Sequence, residues 1–392
     1  MMEYGLSTCI GETITDLPYP VFYDPHYSIR VKKPPVTLIT GSPGSGKTFL
    51  GVTLAAHASL LGKIGFILDP KGDFIALKNL ERQGFVNKIK LWSIASKQGE
   101  VEEENAGILD PTLFYSNYKD NSSLTIDVIK TLCGGEITHS QVTTLTPIVN
   151  DITMSSQPSF GKVVNKLISN KDNEISALGY TLETILNTSL AKLLVANKRI
   201  QRKTLTIGNE IVVVNLMGLT LPPDTKAAKD YNSKEKVSII ILSLISTIIL
   251  DMMRNLPPEI YKILMADEAW AIMATQIGSN MVKETARLGR SRNLAMILMT
   301  QSSKHLGDAV DSDLNTMIST RFAFRNEDEV DNLSTIRLMR LPENEGWENN
   351  IKELETGQCL LQNTSHETGF IHILSEDDWI EYLNTTPIKS DS

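Results

Sequence analysis

Cysteine is scarce in this 392-residue chain, and its three thiols lie far apart at Cys9, Cys133 and Cys359. They form no CxxC pair and no even-numbered framework, which excludes a disulfide-stapled secreted scaffold and fits a reducing compartment. Histidine is equally sparse: six residues, without HxxxH or Cys/His spacing, speak against a zinc site. The N-terminal stretch MMEYGLSTCIGET has no basic head followed by an apolar core, so it does not read as a signal peptide. No repeat at solenoid periods is present. An excess of positive charge is also missing: 38 Lys and Arg stand against 46 Asp and Glu, a net −8. That balance argues against coating duplex DNA with the whole surface, while leaving room for a local basic patch. Charged residues at 21% and hydrophobic ones at 41% exclude wholesale disorder.

One long apolar run exists, Val237 to Met253 (VSIIILSLISTIILDMM). A membrane span needs about 20 apolar residues. This run is broken by Ser238, Ser243, Ser246, Thr247 and Asp251 and preceded by Lys234, Glu235 and Lys236, so it reads as a helix buried on most sides within an α/β domain. The expectation is a chain with no transmembrane segment of its own.

The first 34 residues, with prolines at 18, 20, 25 and 34, are expected to be a loop-rich lead-in. Regular structure then begins sharply. VTLIT (36–40) is a short apolar strand ending in a Gly-rich turn, FLGVTLAAHASLL (49–61) has helical spacing, and IGFIL (64–68) is a second strand followed by DPKGD. Strand, loop, helix, strand is a βαβ unit and implies a parallel sheet. An acidic loop at 97–105 follows; from about 113 to 203 strand signals fade and polar helical stretches appear. Strand-like runs return at 210–216, 262–266, 294–300, 320–324, 357–361 and 369–373. The fold class predicted is α/β: a P-loop core with a mostly parallel sheet plus an inserted all-α lobe. In residue terms the lead-in is 1–34, the core 35–112 and 205–392, and the helical insertion 113–204.

Gly41, Ser42, Pro43, Gly44, Ser45, Gly46, Lys47 and Thr48 spell GSPGSGKT, a complete GxxxxGK[ST] between an apolar strand and a helix. Glycines at 41, 44 and 46 let the backbone turn tightly and aim its N–H groups at phosphate oxygens, and the helix that follows, starting through Phe49, adds its positive end. Lys47 can reach β- and γ-phosphates, and the Thr48 hydroxyl can ligate Mg²⁺. The alternative is a Gly-rich turn with no ligand.

Hydrolysis needs carboxylates as well. YKILMADEAW (261–270) is a strand ending in Asp267 and Glu268. Asp267 is placed to hold Mg²⁺ and Glu268 to orient and deprotonate water; the plainer reading is an acidic pair capping the next helix. LAMILMTQ (294–301) ends in Gln301, whose amide can contact the γ-phosphate or its water, or be an idle loop glutamine. ETARLGRSRN (284–293) carries Arg287, Arg290 and Arg292. These cations suit a helix C-terminus, or, with Arg290 and Arg292 foremost, supply an arginine finger from a neighbouring subunit; Arg321 and Arg325 are weaker candidates. ILDPKGDF (67–74) lies at a strand's carboxyl edge, where open α/β sheets bind ligands; Asp69 and Lys71 there touch nucleotide or a neighbour, or merely form a Pro-Gly turn. The absence of NKxD makes ATP rather than GTP the expected nucleotide.

Together these pieces resemble the FtsK/HerA-type motor superfamily and, within it, the conjugative-transfer ATPases of type IV secretion systems, the TraC-like, VirB-type energy components. The matching residues are GSPGSGKT (41–48), DPKGD (69–73), DEAW (267–270), GRSRN (289–293) and TQ (300–301), with LPYPVFYDP ahead of the loop, and the likeness covers nearly the whole chain. The resemblance implies a RecA-like ATPase domain with an all-α lobe, ATP and Mg²⁺ as cofactors, and a hexamer or nucleotide-dependent homo-oligomer. It places the protein in the cytoplasm at the inner face of the cell membrane, with inner-membrane secretion-channel components as partners. Carried across, Lys47 and Thr48 are the phosphate and Mg²⁺ residues, Asp267 and Glu268 the Mg²⁺ and water residues, Gln301 the sensor, and Arg290 or Arg292 the finger. Family members usually carry a large N-terminal domain upstream of the motor, so a chain starting just ahead of the phosphate loop is expected to be a C-terminal motor fragment or a short relative, and as a fragment to be monomeric and weakly active. Two other functions compete. A DNA translocase could use KLLVANKRIQRK (192–203), five cations without an acid, along a DNA path; the plainer reading is a solvated helix end. A nucleotide-organised assembly scaffold would need little hydrolysis, against which the intact Asp267 and Glu268 argue.

Overall fold

The computed structural model of the protein describes residues 7–96, 99–134, 137–196, 208, 210–223, 226–273, 275–303, 313–343 and 345–383. Residues 197–203 of the basic run and 97–98 of the acidic loop lie outside them.

Among the described residues eleven strands form one sheet. In chain order they are β1 (Thr8–Thr13), β2 (Pro20–Tyr23), β3 (Val36–Thr40), β4 (Ile64–Asp69), β5 (Ile89–Ser93), β6 (Ile211–Asn215), β7 (Lys262–Ala266), β8 (Leu294–Thr300), β9 (Ile318–Phe324), β10 (Gln358–Gln362) and β11 (Thr368–Ile373). Across the sheet the order is β2-β1-β11-β10-β9-β3-β8-β7-β4-β6-β5. From β9 to β5 every pairing is parallel; β10, β11, β1 and β2 extend it antiparallel. The α/β class and the mostly parallel sheet are as expected from the sequence.

The parallel strands read as unbroken apolar runs because both of their faces are covered. Alternation still sorts the side chains. Leu38, Phe66, Leu68, Val212, Val214, Leu264, Met296 and Leu298 point into one core. Ile39, Ile67, Val213, Ile263, Met265, Ile297 and Met299 point into the other. The second core is closed by the helix Lys47–Leu60 and by helices Ala76–Arg82 and Asp377–Leu383. The first is closed by helices Ser233–Asn255 and Gln276–Leu288 and by the helical stretch Tyr118–Leu132, His139–Thr153, Phe160–Ile168 and Asn173–Leu186. The inserted helices therefore share their apolar core with the sheet.

The helix Ser233–Asn255 is long and apolar enough to cross a membrane by length and composition, but 72% of its most apolar window is buried inside the protein. Two of its buried hydroxyls are satisfied locally: those of Ser243 and Ser246 donate to the carbonyls of Ile239 and Leu242. Asn232 and Glu235 close its start as a reciprocal capping box.

The lead-in corrects the loop-rich expectation. β1 and β2 form a hairpin, and β1 pairs with β11. Pro20 opens an edge strand, one of the few places in a sheet where proline is tolerated, so its signal masked the strand. β5 was also not anticipated; as the other edge it buries only Ile89 fully and carries no continuous apolar run.

Asp110 ties the helical stretch to the core. Its fully buried carboxylate accepts from the Thr112 N–H (2.9 Å), from the Phe160 N–H (3.0 Å) and from the Ala196 N–H (2.8 Å). One side chain thus joins the entry, middle and end of that stretch. Asp110→Ala should destabilise the protein by roughly 3 kcal/mol or more, since several buried donors lose their acceptor together; urea unfolding checks this.

Candidate functional site

Parallel register brings the ends of β3, β8, β7 and β4 to one edge: Thr40 lies opposite Thr300, Ala266 opposite both Leu298 and Leu68. Gly41, Gln301 and Asp267 follow β3, β8 and β7, and Asp69 is the last residue of β4.

The loop 41–46 is shaped by glycines with positive φ, Gly41 at 146°, Gly44 at 75° and Gly46 at 112°. At two of them space decides as well. A Cβ on Gly41 would sit 2.6 Å from the Phe324 Cβ, and one on Gly46 would sit 3.0 Å from the backbone of Gly357. The loop is held from outside: the Ser42 N–H donates to the Arg325 carbonyl (2.9 Å), the Gly357 N–H to the Ser45 carbonyl (3.0 Å) and the Thr356 hydroxyl to the Gly44 carbonyl (3.4 Å). Pro43 and Gly44 are exposed at its tip. Lys47 is buried and folds over the loop, donating to the carbonyls of Gly41 and Ser42. Burial lowers its ammonium to about 8, with the Lys71 charge adding and Asp267 and Glu268 opposing. The Ser45 hydroxyl is buried without a partner. Thr48 lies in the first turn of the helix, half-buried, and Phe49 packs against the core below it.

Asp267 and Glu268 are adjacent and both buried, yet they differ. Burial raises Asp267 to about 7, with Lys71 opposing and the charges of Glu268 and Asp69 adding, and its Oδ2 has no hydrogen-bond partner among the described residues. Glu268 takes left-handed backbone, φ 52°, rare for a residue with a side chain. Burial alone would raise it too, but the Lys71 ammonium, then hydrogen bonds from Lys71, Gln301 and Trp270, hold it below the usual carboxylate range. The Gln301 amide donates to Glu268 Oε1 (2.6 Å), Lys71 pairs with the same oxygen, and the Trp270 Nε1–H donates to Oε2 (2.6 Å). A cavity of about 360 Å³ opens beside these groups, lined by Lys71, Glu268, Trp270, Gln301, Leu219 and Pro222 among others.

Asp69 is present but engaged elsewhere. Its carboxylate accepts from the N–H groups of Gly72 (2.7 Å), Asp73 (3.1 Å) and Phe74 (3.0 Å), fixing the turn that carries Lys71. Of the two readings of DPKGD, Asp69 therefore builds the turn and Lys71 reaches the acids. Arg290 and Arg292 do not join the site within the chain. Arg290 donates to the Lys32 carbonyl (2.9 Å), and the Arg292 carbonyl accepts from Lys262 at the start of β7. They sit at the amino ends of the strands, about 20 Å from the other edge at roughly 3.3 Å per residue. Arg321 is buried and bonded to Asn315 and Gln362.

Sequence reading missed a polar chain behind the loop. The Ser42 hydroxyl donates to Asn326 Oδ1 (3.0 Å), the Asn326 amide donates to Asp331, and Asp331 accepts from the hydroxyls of Ser302 (2.6 Å) and Ser303 (2.9 Å). It joins the phosphate-loop motif to the residues after Gln301. No motif flags it, because its members are scattered over 290 positions of ordinary polar sequence.

Chemically, the arrangement fits a magnesium-bound nucleotide. A glycine-lined loop with a buried lysine matches a polyphosphate, and the unpartnered Asp267 oxygen near neutrality matches a hard cation. The raised Asp267 carries a stability cost: ionisation is disfavoured in the folded chain above its folded value and that cost fades as pH falls toward the unfolded value of 3.8. Asp267→Asn should therefore raise stability by roughly 1–3 kcal/mol at pH 8, a gain that shrinks as pH drops through 7; denaturant melts at several pH values measure it.

The sequence profile of the AAA-like domain matches residues 29–383. A Bacillus subtilis (strain 168) protein described as uncharacterized protein YddE is 20% identical over 369 residues, covering 91% of this chain; the chain spans only 43% of that protein. Among solved structures, VirB4 of Thermoanaerobacter pseudethanolicus superposes with a TM-score of 0.70 at 15% identity, covering 95% of this chain and 98% of that one. The plasmid coupling protein TrwB with a non-hydrolysable ATP analogue gives 0.54 at 12% identity, covering 88% and 87%; TrwB has also been solved with ADP and Mg²⁺. At these identities the structures share the fold, and the profile match over most of the length decides the family: the chain belongs to the AAA-like domain family.

Proposed function

We propose that the protein is an ATPase of the conjugative and type IV secretion class, using ATP and Mg²⁺ to power assembly of, or transfer through, a secretion channel. The observation that carries this is the shared edge: a P-loop whose lysine feels two buried acids, one with an unpartnered oxygen and one held by a sensor glutamine. The likeness in fold to VirB4 and TrwB supports the class.

In this reading the N–H groups of residues 41–46 and the Lys47 ammonium bind and orient the β- and γ-phosphates. Thr48 and Asp267 hold Mg²⁺, which when bound neutralises charge on the phosphate oxygens. Glu268 orients the attacking water and receives its proton, for which Oε1 or Oε2 must be released from a present donor. Gln301, bonded to Glu268, is the group through which the state of the site reaches β8. Arg290 or Arg292 serves a neighbouring copy, which makes turnover depend on a homo-oligomer, a hexamer when assembled. In domain terms 35–112 and 205–392 form the ATPase core, 113–204 the insertion and 1–34 the lead-in. The protein works in the cytoplasm against the inner face of the membrane, with inner-membrane channel components as partners.

Lys47→Ala should abolish nucleotide binding, while Glu268→Gln should bind ATP within about threefold of the parent and turn over at least 100-fold more slowly, roughly the loss of one catalytic acid–base group. Phosphate release measured over rising protein concentration tests both, together with the dependence on assembly. A Glu268→Gln protein hydrolysing at the parent rate would remove Glu268 from its role. Hydrolysis stimulated by duplex DNA, with a steep salt dependence, would instead favour a DNA translocase.

A further inference from the structure

The reaction proposed above gives Lys71 no part. It occupies the DPKGD turn, whose backbone is pinned by Asp69, and Gly72 beside it has φ 85° with the Met217 sulfur 2.3 Å from where a Cβ would be. The turn is thus built to hold one shape. Its lysine pairs with Glu268 Oε1 and lines the cavity shared with Gln301 and Trp270.

Lys71 and Gln301 both sit on Glu268 Oε1, which is thereby filled, while Oε2 holds the Trp270 donor alone. Water reaches Oε1 only when one of its two donors leaves, so for that oxygen this is a resting arrangement. Of the three donors only Lys71 is a charge, and a phosphate anion competes with the carboxylate for its ammonium. The anion entering this neighbourhood is the outermost phosphate, because the phosphate loop, the acid pair and the Lys71 turn follow strands β3, β7 and β4 whose ends lie on one edge and the water-activating acid must face the phosphorus that is attacked. A diphosphate does not bring that group.

Resting on the nucleotide-binding function proposed above, we infer that Lys71 discriminates triphosphate from diphosphate: it pairs with Glu268 when ADP or nothing is bound, and moves to the terminal phosphate when ATP binds, freeing Glu268 to act. Glu268 is thereby restrained until a hydrolysable nucleotide is in place.

The test is calorimetric binding of Mg-ADP and of the Mg-β,γ-imido ATP analogue to the full chain, as parent, Lys71→Met and Lys71→Arg. The expected result is that Lys71→Met loses about tenfold affinity for the imido analogue, as for removal of one charge-assisted phosphate contact, while ADP affinity stays within about twofold and Lys71→Arg keeps most of the preference for the analogue. Retained ADP binding shows that the variant is folded; should Lys71→Met not fold, Lys71→Gln, which keeps a polar tip at this partly exposed position, takes its place with the same expectation. Equal losses for both nucleotides, or no loss for either, would overturn the inference while leaving the ATPase reading standing. A parent that binds neither nucleotide overturns both.

Discussion

Parallel pairing from β9 to β5 is the constraint on which everything else depends. Parallel strands end on the same side, so a loop after β3, an acid pair after β7, a lysine turn after β4 and a glutamine after β8 meet although they are spread over 260 residues of sequence. Antiparallel neighbours would have sent half of these groups to the opposite edge. The strands that are antiparallel, β10, β11, β1 and β2, carry none of the candidate catalytic groups. They brace the loop from the side instead, through Thr356 and Gly357.

Two-sided burial then sets the electrostatics. With both sheet faces closed by helices, charges at the strand ends lose water, and each one's state depends on its nearest partner. Asp267 and Glu268 are neighbours of nearly equal exposure, yet burial drives the first up to about 7 while Lys71 holds the second down. The difference is one of orientation. The left-handed backbone at Glu268 turns its side chain toward the β4 turn and β8, and leaves Asp267 with an oxygen that has no hydrogen-bond partner among the described residues. Two adjacent acids thus divide into one suited to a cation and one suited to holding and later taking a proton.

Much of this was legible in the sequence, for specific reasons. The central strands were readable because burial on two faces leaves unbroken apolar runs, and VTLIT, KILMA and LAMILMT match β3, β7 and β8 end to end. The loop at GSPGSGKT was readable because its glycines take the positive φ that a tight turn between strand and helix requires. The edge strands β1, β2 and β5 were not, since an edge needs neither continuous apolarity nor freedom from proline. Nor could the sequence reveal that Asp69 spends its carboxylate on its own turn while Lys71 reaches Glu268. That choice depends on where β4 ends relative to β7, a register fixed only by the assembled sheet.

The same register decides how an arginine from the 289–293 stretch can take part. Arg290 and Arg292 immediately precede β8, and Gln301 immediately follows it, so the strand itself separates them from the phosphate loop of their own chain. No side-chain rotation spans a distance of about 20 Å, and the backbone between them is fixed by pairing with β3 and β7. A phosphate loop served by these arginines would therefore belong to another molecule. If that molecule is a second copy, the amino-end edge of one sheet faces the carboxyl-end edge of the next. Such a contact is head-to-tail, and repeated with rotation it closes into a ring rather than a two-fold dimer.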